Sequence, residues 1–473
     1  MTPPALDLAA LAKLSSGTWL EFLAQRRWFP AGARSVRLVG AARVGADAAL
    51  CLLVAEAERP WTTQVLLRTM MVDGAGPHEH VPKNSIRMRA DGAEIALVEA
   101  SDAPDVFVAL AAGLRAGASF AGDGASWSTR VGSPICAGAL TGARLVGGEQ
   151  SNTAVVLGEA GVLKLFRRVE VGRHPEIELG RFLTARGFRH TPALLAELTV
   201  ETGEGSAAAG VLHAFLPGRV DGWTFALSRP DMVEPARALG AATRALHEAL
   251  TTDDESTGLA TRAVVAADRV RWVKGLRQTA SAALSRLGHR YRELPPETRK
   301  LAEVTATRSE ALLADAEERL RGAAGVQIRI HGDYHLGQVL YDPSSGTWSI
   351  LDFEGEPTRP LVERSLRQLP QRDVAGMLRS FAYAALVGGA GPDWEAATSA
   401  AFLAGYDAAG SPGSPLPAAQ ASPLLRACVI ERSFHELAYE LDYRPQFAWI
   451  PLTSLVALSE AVALPPWPRA SQF

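Results

Sequence analysis

The sequence predicts an α+β fold in two lobes, strand-rich in its N-terminal half and mainly helical after that. Three observations carry this. Residues 36–72 and 143–166 alternate and are rich in Val, Leu and Thr, as half-buried strands are. From about residue 229, apolar side chains recur at helical spacing over long segments. Within that helical half, residues 326–351 return to a strand, turn and strand.

Taken in order, residues 6–27 have helical spacing and are expected to form a helix ending at Trp28, Phe29 and Pro30. Residues 36–56 and 61–72 read as strands, 73–90 as a polar loop, and 105–116 as a short helix. The turn-rich SFAGDGASWS at 119–128 marks a boundary. Strands are then expected at 143–146, 153–157 and 162–166, with GGEQSN at 147–152 between the first two. Pro175 suits a helix N1 position, and Leu179, Phe182, Leu183 and Arg186 keep helical spacing up to Gly187. A strand at 212–216 ends at Pro217 and Gly218. Helices follow at about 229–251, 264–292, 296–321, 371–388, 393–409, 422–443 and 453–463, with 410–422 as a flexible connection. The expected domains are 1–128, 129–216 and 217–473.

Composition narrows the function classes. A net charge of −3 leaves no electrostatic footprint for nucleic acid or an anionic membrane. Cys51, Cys136 and Cys428 are far apart and lack Cys/His clustering, which argues against disulfides and structural zinc and favours a cytoplasmic location. The N-terminus has no basic segment before an apolar core, so no signal peptide is expected. No apolar run is long enough for a membrane span.

The most informative segment is HGDYHLGQ at 331–338, followed by DFEGE at 352–356. Asp333 and Gln338 keep a D-x-x-x-x-N spacing with Gln in place of Asn, and Asp352 supplies a second carboxylate. Gly332 permits a tight turn that projects Asp333 from the strand at 326–330. Strands at 339–341 and 348–351, joined by PSSG, would return Gln338 and Asp352 to one end of a hairpin. Phosphoryl transfer asks for one group to deprotonate the attacking hydroxyl and for oxygen ligands that hold magnesium on nucleotide phosphates. Asp333 suits the first role, and an amide oxygen and a carboxylate from Gln338 and Asp352 suit the second. His331 reads as a structural histidine bonded to loop backbone, whereas His335 could face substrate.

A strand-rich lobe followed by a helical lobe with such a hairpin is the order of a bilobal protein-kinase-like fold. The first lobe should then contact phosphate. GGEQSN lies between strands where small residues let N–H groups approach phosphate, although a plain hairpin turn would read the same way. Lys164, inside the apolar run VLKLF, needs a phosphate or carboxylate unless it points to solvent from an edge strand. Glu178 is the favoured partner on the helix from Pro175, with Glu176 the alternative.

HGDYHLGQVL, LDFEGEP, RDVAGMLRSFAYAA and YELDYRP with its IPL resemble segments of the aminoglycoside-phosphotransferase-like kinases, and among them the actinobacterial maltokinases. GGEQSN with LKLFRRVEVG, and RRWFPAG near residue 27, add to a likeness running from about residue 18 to 460. It implies an N-terminal cap over 1–128, the rest of the N-lobe over 129–216, and a helical C-lobe with a sugar groove over 217–473. Asp333 would be the catalytic base, with Gln338 and Asp352 the Mg2+ ligands. Gly148, Ser151, Asn152 and Lys164 would hold ATP phosphates, Glu178 would pair with Lys164, and Ala214 and Phe215 would lie beside adenine. The implied reaction makes maltose 1-phosphate and feeds α-glucan synthesis, in a chain expected to be a monomer.

A sugar site also needs carboxylates, Arg and aromatic faces. Tyr439, Glu440 and Arg444 lie on the last long helix, with Tyr439 and Tyr443 on one face, although a core aromatic pair with solvated charges would show the same spacing. Arg379 could brace the hairpin through Asp352 or Glu354 or touch sugar, and Asp373 should hold the catalytic loop. Ala382 and Phe447 depart from the family pattern, which expects an acid and a tryptophan there. A kinase for glucosamine or an aminoglycoside is the first alternative, and the missing acid at 382 counts mildly against an amino acceptor. A catalytically silent nucleotide-binding module is the second.

Overall fold

The computed structural model describes residues 5–72, 81–90, 93–132, 140, 142–147, 152–228 and 231–459. They divide into two compact units. The first holds residues up to 185 with 192–217 and 360–363; the second holds 186–191, 218–359 and 364 onward.

The first unit opens with α1 (Leu8–Ala12) and α2 (Ser16–Ala24), not the single helix expected over 6–27. Ser15 breaks it: its hydroxyl accepts the Thr18 N–H and caps a new helix. Strands β1 (Ser35–Val44), β2 (Ala48–Glu56) and β3 (Trp61–Met71) then form a meander, with Gly45 at φ +72° turning the first hairpin. Part of the expected polar loop is a strand, β4 (Ile86–Ala90), paired with β5 (Ala93–Glu99). After α3 (Val106–Arg115), the expected boundary segment is itself a hairpin of β6 (Ser119–Asp123) and β7 (Ser126–Val131).

The unit continues through β8 (Ala143–Leu145), β9 (Asn152–Leu157), β10 (Gly161–Phe166), α4 (Pro175–Ala185), β11 (Leu194–Thr202) and β12 (Gly205–Ala214). Among the described residues its sheet runs β4-β5-β3-β2-β1-β6-β7-β11-β12-β10-β9-β8, and the paired neighbours are antiparallel. β7 pairs with β11, so hydrogen bonding crosses residue 128 without a break. One core sets Phe107, Leu110 and Leu114 of α3 against Trp127, Val155, Leu163 and Leu198. Another sets Leu11, Trp19, Phe22 and Leu23 against Val36, Cys51, Leu53 and Val65. Each such side chain contributes about 1.5–3 kcal/mol on leaving water.

One buried polar residue joins these parts. Gln64 donates to the carbonyls of Phe166, at 2.8 Å, and Ala209, while its Oε1 accepts the Trp127 indole N–H at 3.0 Å. Arg167 beside it pairs with buried Glu99, which also takes Arg26 at 3.0 Å. The strand carrying Lys164 is thus tied at its end to β3 and β7.

The second unit is mainly helical. Its long helices are Val233–Ala249, Ala266–Arg290, Pro296–Arg321, Gln371–Val387, Pro392–Ala408 and Pro423–Tyr443, close to expectation. Gly222–Ser228 is an additional helix, and the last one begins earlier than expected, spanning Trp449–Leu458. Trp272, Leu276, Leu313, Leu320, Phe434, Leu437 and Trp449 pack in its core. The expected flexible stretch 410–422 is tied down, because Asp407 accepts the N–H groups of Ala419 and Gln420 and Arg244 donates to the carbonyls of Leu416 and Pro417. Among the described residues, no helix is long and apolar enough to cross a membrane.

Candidate active site

The expected hairpin is present in the second unit, though its first strand is short. Val326–Gln327 forms regular pairs and Ile328 adds one bridge to Gln368. Beyond it the chain turns at Gly332, φ +86°, which a side chain would strain. The turn is held by Asp373, whose two oxygens accept the N–H groups of His331 at 2.8 Å and Gly332 at 2.9 Å. His247 adds a third contact to Asp373 at 3.1 Å. Burial alone would raise the Asp373 pKa, but His247, His331 and the Gly332 N–H more than offset it and hold the carboxyl below its ordinary value.

His331 has the structural placement its sequence context suggested. It is buried, its Nδ1 accepts the Asp333 N–H at 3.3 Å, and its Nε2–H therefore donates to the Leu351 carbonyl at 2.7 Å. This stitches the loop before Asp333 to the strand before Asp352. Strands Val339–Asp342 and Thr347–Ile350 pair in register, with Val339 opposite Ile350. Gln338 and Asp352, just outside that register, meet: the Gln338 amide donates to Asp352 Oδ2 at 3.1 Å. Asp352 has φ +63° and is the one non-glycine residue with positive φ among those described. Asp tolerates that conformation better than most residues, and such strain concentrates at functional positions.

The donor chemistry fits magnesium. Mg2+ takes one or two protein oxygens and completes its shell with water and phosphate, and Gln338 with Asp352 supplies such a pair. No cluster of three or more His, Cys, Asp or Glu suited to a metal occurs among the described residues.

Asp333 lines a cavity of about 440 Å³ with Trp223, His335, Glu356, Tyr383 and Arg432. Arg432 donates to Asp333 Oδ1 at 3.3 Å, and His335 Nε2 lies 3.8 Å from Oδ2. His335 also accepts the Gly337 N–H through Nδ1. Behind Asp333 the fit is tight: Gly376 lies so close that a Cβ there would sit 2.5 Å from the Tyr334 carbonyl oxygen.

Most of the remaining wall is one face of the Pro423–Tyr443 helix, where Arg432, His435, Glu436, Tyr439 and Glu440 recur at helical spacing. Sequence reasoning found Tyr439, Glu440 and Arg444, all of which line the cavity, but not Arg432, His435 and Glu436 one and two turns earlier. The same periodicity carried them. Glu356 was also passed over as part of the DFEGE string. It accepts from Thr358 at 2.5 Å and Arg359 at 2.8 Å, with His435 at 3.3 Å.

Arg379 does not line the cavity. It is buried and donates to Glu436 at 2.8 Å, with Ser454 as a second partner, so it turns away from Asp352 and Glu354 and supports a wall carboxylate from behind. Four carboxylates (Asp333, Glu356, Glu436 and Glu440) and two guanidiniums (Arg432 and Arg444) make up the charged wall, with Arg359 and Arg379 set behind it. Burial pulls His335 and His435 below the usual imidazole value against the opposing influence of Asp333 and Glu356. Burial pushes Glu440 up, while Arg444 at 2.6 Å and Tyr383 at 3.1 Å counter it.

In the first unit, Lys164 lies mid-strand in β10 between Ala154 and Val211, with its ammonium 5.7 Å from the Phe166 ring centroid. Glu176 is buried on His213 at 3.0 Å, while Glu178 lies 3.7 Å from Arg173. Asn152 opens β9 and accepts the Arg167 N–H. Ala214 ends β12, and Phe215 lines a pocket with Ala143 and Val156. Gly148 and Ser151 lie outside the described residues.

The chain is similar to known proteins in sequence and in fold. A glucosamine kinase of Streptacidiphilus jiangxiensis is 30% identical over 263 residues, 51% of this chain and 56% of that protein. The match therefore spans little more than half of that relative. A glucosamine kinase of Mycolicibacterium smegmatis (strain ATCC 700084 / mc(2)155) is 28% identical over 351 residues, 67% of this chain and 79% of that one. Among solved structures, a glucosamine kinase in complex with glucosamine, ADP and inorganic phosphate shares the fold with a TM-score of 0.65 at 22% identity, over 97% of this chain and 100% of that one. The mixed α+β, kinase-like fold expected from the sequence is thereby established. Residues 142–414, from β8 to past the Pro392–Ala408 helix, match the phosphotransferase enzyme family, and to that family this chain belongs.

Proposed function

We propose that this protein transfers the terminal phosphoryl group of ATP to a hydroxyl of a small sugar, and that its acceptor is an amino sugar of the glucosamine kind. The observation that carries the reading is Asp333 in the wall of a carboxylate-rich cavity, on the same hairpin as the Gln338–Asp352 pair. Asp333 orients the acceptor hydroxyl and takes its proton. Gln338 and Asp352 would hold Mg2+, which when bound neutralises nucleotide phosphates. Lys164, Asn152, Gly148 and Ser151 are the proposed phosphate contacts, Glu178 the partner that orients Lys164, and Ala214 and Phe215 the neighbours of adenine. A silent module is disfavoured because Asp333, Gln338 and Asp352 are all retained on one hairpin, with Gln338 and Asp352 in contact.

Two things favour an amino sugar. The relatives at 30% and 28% identity are named glucosamine kinases. In addition, Glu356, Glu436 and Glu440 provide wall carboxylates for an ammonium. Ala382 is buried and outside that wall, so the missing acid there no longer weighs against an amino acceptor. Maltose is the second reading, supported by the resemblance of DFEGEP, RDVAGMLRSF and YELDYRP to maltokinase segments. His335, Tyr439, Glu440 and Arg444 are the proposed sugar contacts under either reading; Arg379 acts through Glu436.

The test is ADP release with Mg2+ and ATP against glucosamine, glucose, maltose and kanamycin. Turnover of glucosamine well above glucose is expected. Turnover of maltose without glucosamine would move the assignment to the second reading, and no turnover of any sugar would end both.

A further inference from the structure

We propose that Arg432 is a catalytic residue, its guanidinium stabilising the charge on the phosphoryl group as it passes to the acceptor. This rests on the sugar-kinase reading above and adds a group to its chemistry.

Position is the first ground. Arg432 lines the cavity and reaches the oxygen of Asp333 at 3.3 Å. Asp333 is where the acceptor hydroxyl must lie, so a phosphorus bonding to that hydroxyl passes close to the guanidinium. Coordination is the second. Other arginines of this region have short carboxylate contacts: Arg379 has Glu436 at 2.8 Å, Arg444 has Glu440 at 2.6 and 3.1 Å, and Arg372 has Glu431 at 2.9 and 3.0 Å, although Arg379 Nη2 and Arg372 Nε are also buried without a hydrogen bond. Arg432 has only long ones, 3.3 Å to Asp333 and 3.5 Å to Glu436, and its Nε is buried without a hydrogen bond. A guanidinium held loosely by two carboxylates keeps donors in reserve for a third anionic group.

Chemistry is the third ground. In the transfer, the acceptor O–H bond breaks with its proton going to Asp333, a bond forms from that oxygen to the γ-phosphorus, and the bond from phosphorus to the ADP oxygen breaks. ADP departs with the bonding pair. Charge is then spread over three equatorial oxygens, a pattern matched by the planar fork of arginine. Burial would weaken the hold of Arg432 on its proton, but Asp333, Glu436 and Glu356 more than reverse this, so it stays charged.

The test compares Arg432→Ala, Arg432→Lys and Asp333→Asn in the full-length protein. Wild-type turnover of a sugar comes first, because its absence would end the underlying reading and not the role of Arg432. Arg432→Ala is expected to lose on the order of 10³-fold in kcat, with KM for sugar and ATP within about threefold of wild type. Added guanidinium ion should restore part of the kcat of Arg432→Ala and none of that of Asp333→Asn. Should Arg432→Ala not fold, Arg432→Lys keeps the charge beside Asp333 and is expected to lose on the order of 10²-fold, since lysine lacks the fork. A kcat within about fivefold of wild type in either variant would overturn the proposal. So would a loss in Arg432→Ala that guanidinium leaves unrescued, or one carried mainly in the KM for sugar.

Discussion

The side-chain amide of Gln338 donates to the carboxylate of Asp352 at 3.1 Å, across the two ends of one hairpin. The contact fixes the spacing of the two proposed metal donors before any ion arrives. Gln338→Asn withdraws the amide by one methylene, roughly 1 Å, a displacement that can cost on the order of 10²-fold in rate. We expect that loss together with a raised Mg2+ requirement. Initial rates over a magnesium titration check it, and an unchanged titration midpoint would remove Gln338 from the metal site.

Asp333→Asn should bind nucleotide as wild type does and lose on the order of 10²–10⁴-fold in turnover, the usual contribution of a general base. Nucleotide affinity by calorimetry alongside ADP release separates the two. A near wild-type rate would exclude Asp333 as base.

Asp373→Ala should unfold the catalytic loop before the rest of the unit. It removes the acceptor for two consecutive N–H groups, of which the buried His331 N–H would cost about 1–3 kcal/mol unpaired, while the exposed Gly332 can turn to water. A fall in thermal midpoint, with loss of amide-exchange protection confined to His331 and Gly332, is the expected outcome.

Glu356 should contribute to an acid limb of stability. Its carboxyl is held at about 2 against an ordinary 4.5; burial alone would raise it, and His435, Arg359 and Thr358 reverse that. A depressed carboxylate stabilises the fold above its unfolded pKa, and that stabilisation fades as pH falls from about 4.5 toward 2. The shift corresponds to about 3 kcal/mol. Glu356→Gln is expected to lose part of the stability at pH 7 and to flatten the decline between those values, which denaturant titrations at several pH values would read. A parallel decline in both proteins would assign the acid limb elsewhere.

Glu440→Gln tests the acceptor. If an ammonium is recognised at this wall, KM for glucosamine should rise at least tenfold, about 1.4 kcal/mol, while that for glucose changes little. Equal effects on both sugars would place Glu440 among hydroxyl contacts.

The parts of this molecule that were legible from sequence are those with strong local signals. Helices such as Pro296–Arg321 and Pro423–Tyr443 declared themselves through long periodicity and a proline at the first turn. Asp333, Gln338 and Asp352 were findable because one hairpin sets their spacing. β5 and β11 escaped notice because short apolar runs look alike whether strand or loop until a partner pairs with them. Arg432 and Glu436 share a face with Tyr439, but a charged face on a helix looks solvated until another element covers it. The role of Arg379 turned on which carboxylate lay opposite, a fact of packing that spacing does not encode.

The unbroken β7–β11 pairing limits where this protein can be cut. A truncated chain starting at residue 142, where the family match begins, would strip the partner from β11 over Ala196–Glu201 and expose its hydrogen-bonding edge. It would also remove Gln64 and leave the Phe166 and Ala209 carbonyls to find water. Bare edges of that kind recruit other chains, so the shortened protein should precipitate, although every residue proposed for its chemistry is still present.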